Sequence, residues 1–248
     1  MVKGISIKFD SYIQTIPKLL KIVKFDDELK KHEKVILKPN LINGQDGEST
    51  PVDFVEQILK FCMENKNPGT EIFIAEGCDG KDTMEVFGSL GYRKLAEKYG
   101  VTLVDLNKAD VEEMEKEEFT TFPKIMCPKI LLDGFVISLP ILRENWEAGI
   151  NASLDNMIGA YPSKYYSGIF SKSKTKLKKY ELKNLIHDIV LCKNPDFAII
   201  DSSGRGNILA GNPLEMDKQA ARLMGLDIKN LPHLKLIEES LSKQMGHS

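Results

Sequence analysis

The side chains best suited to chemistry stand at the ends of four apolar runs. Lys38 and Asn40 follow Val35-Ile36-Leu37, and Glu76, Cys78 and Asp79 follow the run ending at Ala75. Arg143 and Asn145 come after residues 134–139, and Asp201 and Arg205 after residues 197–200. Lys38 and Arg143 are candidates to bind a carboxylate or phosphate, the lysine as a point charge and the arginine through a two-pronged contact. Arg205 adds a second guanidinium, and Asn40, Asn145 and Asn156 could orient polar groups of a substrate. Asp201 and Asp217 are the catalytic candidates, as a general base or as ligands of a divalent cation. Each has a structural alternative. Asp201 could cap the turn that follows it, and Asp217 could stabilise a helix start or pair with Arg205 or Arg222. Cys78 reads as a passive thiol and His187 as a packed or surface histidine, while Trp146 is either a cleft wall or a core anchor.

These groups must be positioned by the elements around them. Residues 197–200 form a short apolar run fit for a strand buried on both faces. A small-residue turn containing Gly204 and Gly206 follows, then a second short strand at residues 208–210. Asn212-Pro213, with Glu215 three positions after Asn212, reads as the capped start of a helix that Gly225 ends. Upstream, strands at residues 5–9, 35–37, 71–75, 101–106 and 134–139 alternate with helical stripes. One stripe is Ile13, Ile16, Leu20 and Val23, with Pro17 tolerable only in the first turn; another is Val52, Val55, Ile58, Leu59, Cys62 and Met63. A polar loop spans residues 43–49.

This alternation predicts one α/β domain over residues 1–248: a mainly parallel central sheet with helices on both faces, a Rossmann-like open sheet. Carboxyl ends of parallel strands share an edge, so Lys38, Arg143 and Asp201 are expected to meet at one pocket there. The glycine-rich dinucleotide fingerprint with its downstream acid is missing.

Ile199-Ile200-Asp201, Ile208 to Pro213, and Asp217 with Ala220 to Asp227 resemble the C-terminal signature of the domain of unknown function 362 family. Lys38-Pro39-Asn40-Leu41 resembles that family's N-terminal motif, and Asn156-Met157-Ile158-Gly159 a third. The resemblance covers residues 35–234. It implies an α/β fold and association with iron–sulfur proteins. Such families place two lysines and a histidine where Ile141, Arg143 and Asn145 stand here, and a lysine at Asp155. Many members carry a ferredoxin-like segment that is not seen in this sequence, so an iron–sulfur centre would be held by a partner protein.

Hydrophobic residues make up 42% and charged residues 28% of 248, an ordinary composition for a chain with a sizeable core. The net charge of -2 argues against a nucleic-acid or anionic-membrane binder. No apolar run reaches the ~18 residues that span a bilayer, and the start of the chain does not resemble a signal peptide, so a cytoplasmic location is expected. Four scattered cysteines and four scattered histidines form no zinc or iron–sulfur motif, leaving the cofactor open, with a divalent cation as one option. Residues 110–118 hold six acids and one lysine and read as a solvated face. Residues 161–180 mix Tyr161, Tyr165, Tyr166 and Phe170 with Lys172, Lys174, Lys176, Lys178 and Lys179. This stretch reads as a mobile, solvated excursion; the alternatives are a phosphate-tracking loop and a docking surface for a redox or iron–sulfur partner.

Overall fold

A computed structural model describes residues 4–42, 47–168 and 171–246. Residues 43–46 of the expected polar loop and Phe170 of the excursion lie outside the described residues. Short apolar runs bounded by polar turns supply the strands. In chain order they are β1 (Ile5–Lys8), β2 (Lys34–Pro39), β3 (Glu71–Glu76), β4 (Thr102–Asp105), β5 (Val111–Met114), β6 (Ile125–Pro128), β7 (Phe135–Leu139), β8 (Arg143–Asn145), β9 (Gly149–Asn151), β10 (Phe197–Ser202) and β11 (Asn207–Gly211). Seven of them make one sheet in the order β1-β11-β10-β7-β2-β3-β4. Neighbours from β10 to β4 are parallel, and β11 runs antiparallel to both β10 and β1. The sheet is therefore mainly parallel, as the alternation of elements implies.

Strand order reverses between β2 and β7. The chain steps from β2 outward through β3 to β4, then crosses back to β7 and continues outward to β10. Two crossovers leaving in opposite directions cannot cover the gap between their starting strands, so a crevice opens at the carboxyl ends of β2 and β7.

Side chains of a strand alternate between faces, and the two faces bury different layers. Val35, Leu37, Ile137 and Ile199 pack on one face against Ile16, Leu20, Phe54 and Ile58 of helices Tyr12–Ile22 and Val52–Asn65. Ile36, Val136, Ile200 and Leu209 face the other way, under helices Leu182–Cys192, Pro213–Leu223 and Pro232–Gly246. Lys38 and Ser138, paired in register, share this second face by the same alternation.

Local expectations are corrected in three places. Helix Tyr12–Ile22 buries Thr15, Ile16, Leu19 and Leu20, while Ile13 is exposed. Pro17 lies inside that helix, past the first turn. The hydrogen bond it cannot donate would go to the carbonyl of Ile13, an exposed residue whose backbone water can reach, which lowers the cost. The acidic stretch contains β5, which pairs antiparallel with β6; glutamate is depleted in strands, and that hid it. The small hairpin β8–β9 was likewise not foreseen. Among the described residues no helix is long and apolar enough to cross a membrane.

Candidate functional site

Lys38 ends β2 fully buried, and a buried ammonium requires a partner. It donates to Glu76 Oε2 at the end of β3 (2.8 Å) and to Asn156 Oδ1 (3.2 Å). Asn156 returns two bonds, donating from Nδ2 to the Lys38 carbonyl (3.1 Å) and to Ser138 Oγ (3.0 Å). The second oxygen of Glu76 accepts from the Gly77 amide (2.8 Å). One asparagine thus bridges the ends of β2 and β7 at the crevice. A Cβ on Gly159 would lie 2.5 Å from Glu76 Oε1 and 3.2 Å from Lys38 Nζ, so only glycine lets the 3₁₀ turn Asp155–Ala160 seat on the ion pair. Asp217 holds the approach to this turn. Its carboxylate accepts from the Ser153 amide (2.8 Å), the Leu154 amide (3.0 Å) and the Ser153 hydroxyl. Burial still raises its pKa to about 6.

Above the ion pair lies a cleft of about 560 Å³, within the usual range for a small-molecule site. Asn40, Asn145, Asn151 and Asn156 supply amides to its lining, Asp79, Glu147, Asp155, Lys174 and Lys178 supply titratable groups, and Ile158, Leu177 and Leu185 supply apolar surface. Asp155 accepts from the Ala152 amide. Desolvation, reinforced by the nearby Asp217 charge, pushes its pKa up to about 8, so it keeps its proton at neutral pH. Lys174 donates to the carbonyls of Gly77 (2.6 Å) and Gly159 (2.7 Å). Burial is the main cause that brings its pKa down to about 8; the Lys38 charge adds to the shift, and Glu76 and Asp79 oppose it. The cleft therefore offers amide N–H groups, a carboxylic acid and an ammonium that sheds its proton easily.

A sequence profile of the family described as Domain of unknown function (DUF362) matches residues 35–227. The chain belongs to this family. No curated protein matches it. Among solved structures it is similar to the lactate racemase apoprotein from Thermoanaerobacterium thermosaccharolyticum, with a TM-score of 0.59 and 11% identity. The likeness covers 89% of this chain and 57% of that one; it is one of fold, and the chain spans well under two thirds of the racemase.

In this DUF362 chain Asn40, Asn145 and Asn156 line the cleft, with Lys38 directly beneath. Arg143 does not line it. Its guanidinium donates to the Gly47 carbonyl (3.4 Å), and partial burial lowers its pKa against the charges of Glu48 and Asp155. Arg205 pairs on the surface with Glu144 (3.2 Å), and neither it nor Arg222 pairs with Asp217 among the described contacts. Asp201 lies on the other face of the sheet. It follows Phe197 and Ile199 in phase, accepts from the Tyr12 hydroxyl (2.7 Å) and caps the Ser203 amide (2.9 Å). Lys38, Arg143 and Asp201 thus share an edge but do not share a pocket.

The strand-exit reading missed Lys174, Asp155 and Asn151 as cleft residues. Asp155 had announced itself as an acid standing where the resemblance implies lysine. Lys174 lies within the excursion expected to be solvated. Its neighbours Lys172, Lys176, Lys178 and Lys179 are exposed, whereas Lys174, Tyr161, Tyr166 and Leu177 are buried and anchor the segment over the cleft. Cys78 is buried, and desolvation, helped by Glu76, pushes its thiol up to about 12, which makes it unreactive. His187 bonds Asp188 through Nδ1 (2.8 Å) and Ser240 through Nε2 (2.9 Å). That order of groups is the one a hydrolase uses. Here, however, His187 and Asp188 are buried, and Ser240 borders neither this cleft nor the hollow at the opposite sheet edge. Asp188 is bound by the amides of Thr120, Thr121 and Phe122, so the set locks helix Leu182–Cys192 to its neighbours. The hollow at the opposite edge, about 690 Å³, is lined by charged residues such as Lys31, Lys34, Lys193 and Asp196.

Among the described residues no three of His, Cys, Asp and Glu converge to hold a metal ion. Asp201 and Asp217, the two candidate cation ligands, lie apart and bond protein donors. The cysteines are buried, and their donor set does not fit an iron–sulfur cluster, which needs converging thiolates.

Proposed function

We propose that this chain binds a small molecule carrying a carboxylate or phosphate in the crevice at the carboxyl ends of β2 and β7, and that it acts on this ligand as an enzyme. The observation that carries the reading is the presence in one cleft of two titratable groups, Asp155 and Lys174, both moved to about 8. Such opposite shifts are the mark of a site prepared to move protons near neutral pH. Below that value Asp155 donates an O–H and Lys174 carries a charge, so each suits an anion, and the amides of Asn40, Asn145 and Asn151 can orient it. Lys38 plays a supporting part: bound to Glu76, it fixes Asn156 and Gly159 rather than meeting the ligand. A divalent cation is not needed for this arrangement.

The docking of a redox or iron–sulfur partner through residues 161–180 is supported less, because Tyr161 and Tyr166, two of the aromatic side chains that would form such a surface, are buried. The exposed lysines of that segment support nucleic-acid binding no better against the overall charge of -2. Thermal-shift and calorimetric titration with phosphate, lactate and other small carboxylates tests the reading; lactate is included because of the racemase whose fold is shared. Stabilisation by at least one anion, lost in Lys174→Met and Asp155→Ala, is the expected result. Stabilisation that survives both substitutions would place the anion elsewhere.

A further inference from the structure

The rim of the cleft carries a feature that a bare anion would not use. Trp146 is 95% exposed and borders the cleft. It stands on the turn between β8 and β9, and this turn is fastened. Asn145 Oδ1 accepts from the Glu147 amide (2.8 Å) and the Ala148 amide (2.9 Å), and Asn145 Nδ2 donates to Asn151. An indole held open to water on a rigid turn forgoes the burial that normally repays an aromatic side chain.

A second aromatic ring borders the same cleft. Tyr180 is 41% exposed and braced edge-on by Phe122, with ring centres 4.9 Å apart at 67°. The two rims are tied together, since Glu147 Oε1 accepts from the amide of Leu182 (2.8 Å). That bond joins the residue after Trp146 to the residue two beyond Tyr180. Ile158, Leu177, Leu182 and Leu185 add apolar surface to the lining of the same cleft. The two rings therefore share one lining with apolar side chains, asparagine amides and Lys174.

Resting on the anion reading above, we infer that the ligand carries a planar conjugated ring, which Trp146 and Tyr180 hold at the mouth while its carboxylate or phosphate reaches Lys174 and the asparagines. Stacking on aromatic side chains needs only a π face and is indifferent to the ring's identity. The class is therefore ring-bearing anions, including nucleotide-like phosphates and aromatic carboxylates. The cleft volume accommodates a mononucleotide-sized molecule.

Trp146 is the chain's only tryptophan, so its fluorescence reports on the cleft alone. Flavin mononucleotide, adenosine monophosphate and salicylate are titrated beside ring-free phosphate, ribose phosphate and lactate, with affinities from calorimetry. At least one ring-bearing probe should quench Trp146 saturably and bind about tenfold or more tighter than its ring-free counterpart. Trp146→Ala and Tyr180→Ala should each remove most of that advantage, and Trp146→Phe should restore it. Equal affinity for ring-bearing and ring-free anions, both lost in Lys174→Met, overturns the ring inference and leaves the anion reading standing. No saturable binding by any probe up to about 1 mM overturns both. Ring-bearing probes that bind Trp146→Ala and Tyr180→Ala as tightly as the native protein overturn the inference too.

Discussion

Two buried acids close the same edge of the sheet, and they have different surroundings. Glu76, at the end of β3, pairs with Lys38 beneath a cleft; Asp201 is bonded to Tyr12 under helix Tyr12–Ile22. Both satisfy their oxygens with protein donors. Only the first is surrounded by groups whose pKa values have moved toward neutrality and that line an opening. A strand end becomes a candidate site when desolvation meets access. Burial alone, as at Asp201, makes a brace.

The widest gap between the two regions should appear in stability. Lys38→Met leaves Glu76 buried without its counter-charge, and a loss of about 3–5 kcal/mol in urea unfolding is expected. Lys38→Met combined with Glu76→Leu should recover most of it, because the cost lies in the stranded charge. A single variant within about 0.5 kcal/mol of native would show the pair to be solvated.

Tyr12→Phe removes one hydrogen bond from Asp201 on the far face. A loss of about 1–2 kcal/mol is expected, with anion binding in the cleft unchanged. A change in that affinity would erase the distinction between the two faces.

Asp155→Asn sharpens the comparison through pH. The native carboxyl is raised to about 8 from an unfolded value near 3.9, so the folded state holds the extra proton between those limits. Its contribution to stability is fully present below about pH 4 and is lost as pH rises through about 8. Relative to native protein, Asp155→Asn should therefore gain in melting temperature as pH rises across that window. A constant difference from pH 4 to 8 would mean that Asp155 titrates normally. The smallest effect is expected at the rim, where Trp146→Ala should stay within about 0.5 kcal/mol of native stability, since the ring is almost wholly exposed.

The parallel sheet was legible because continuous apolar runs such as Val35-Ile36-Leu37 alternate with capped helical stripes. Much of the cleft was legible too, since Lys38, Asn40, Asn145 and Asn156 follow strand ends or a motif on the sheet's open edge. Asp201 shows the limit of that inference. Knowing that a residue ends a strand does not reveal its face, which depends on a two-residue period counted from inside the strand. Lys174 shows another limit. A lysine among exposed lysines gives no local sign of burial, and only the carbonyls of Gly77 and Gly159, distant in sequence, draw it in. The acids of β5 hid a strand for a related reason: pairing with β6 outweighs the poor strand propensity of glutamate.

The most direct test of the cleft is the titration of Asp155 followed by carbon-13 NMR of the side-chain carboxyls, with Asp155→Asn identifying the resonance. A midpoint near 8 is expected. A midpoint near 4, the ordinary aspartate range, would mean that the cleft holds no acid able to keep its proton at neutral pH, and would contradict its reading as a proton-transfer site.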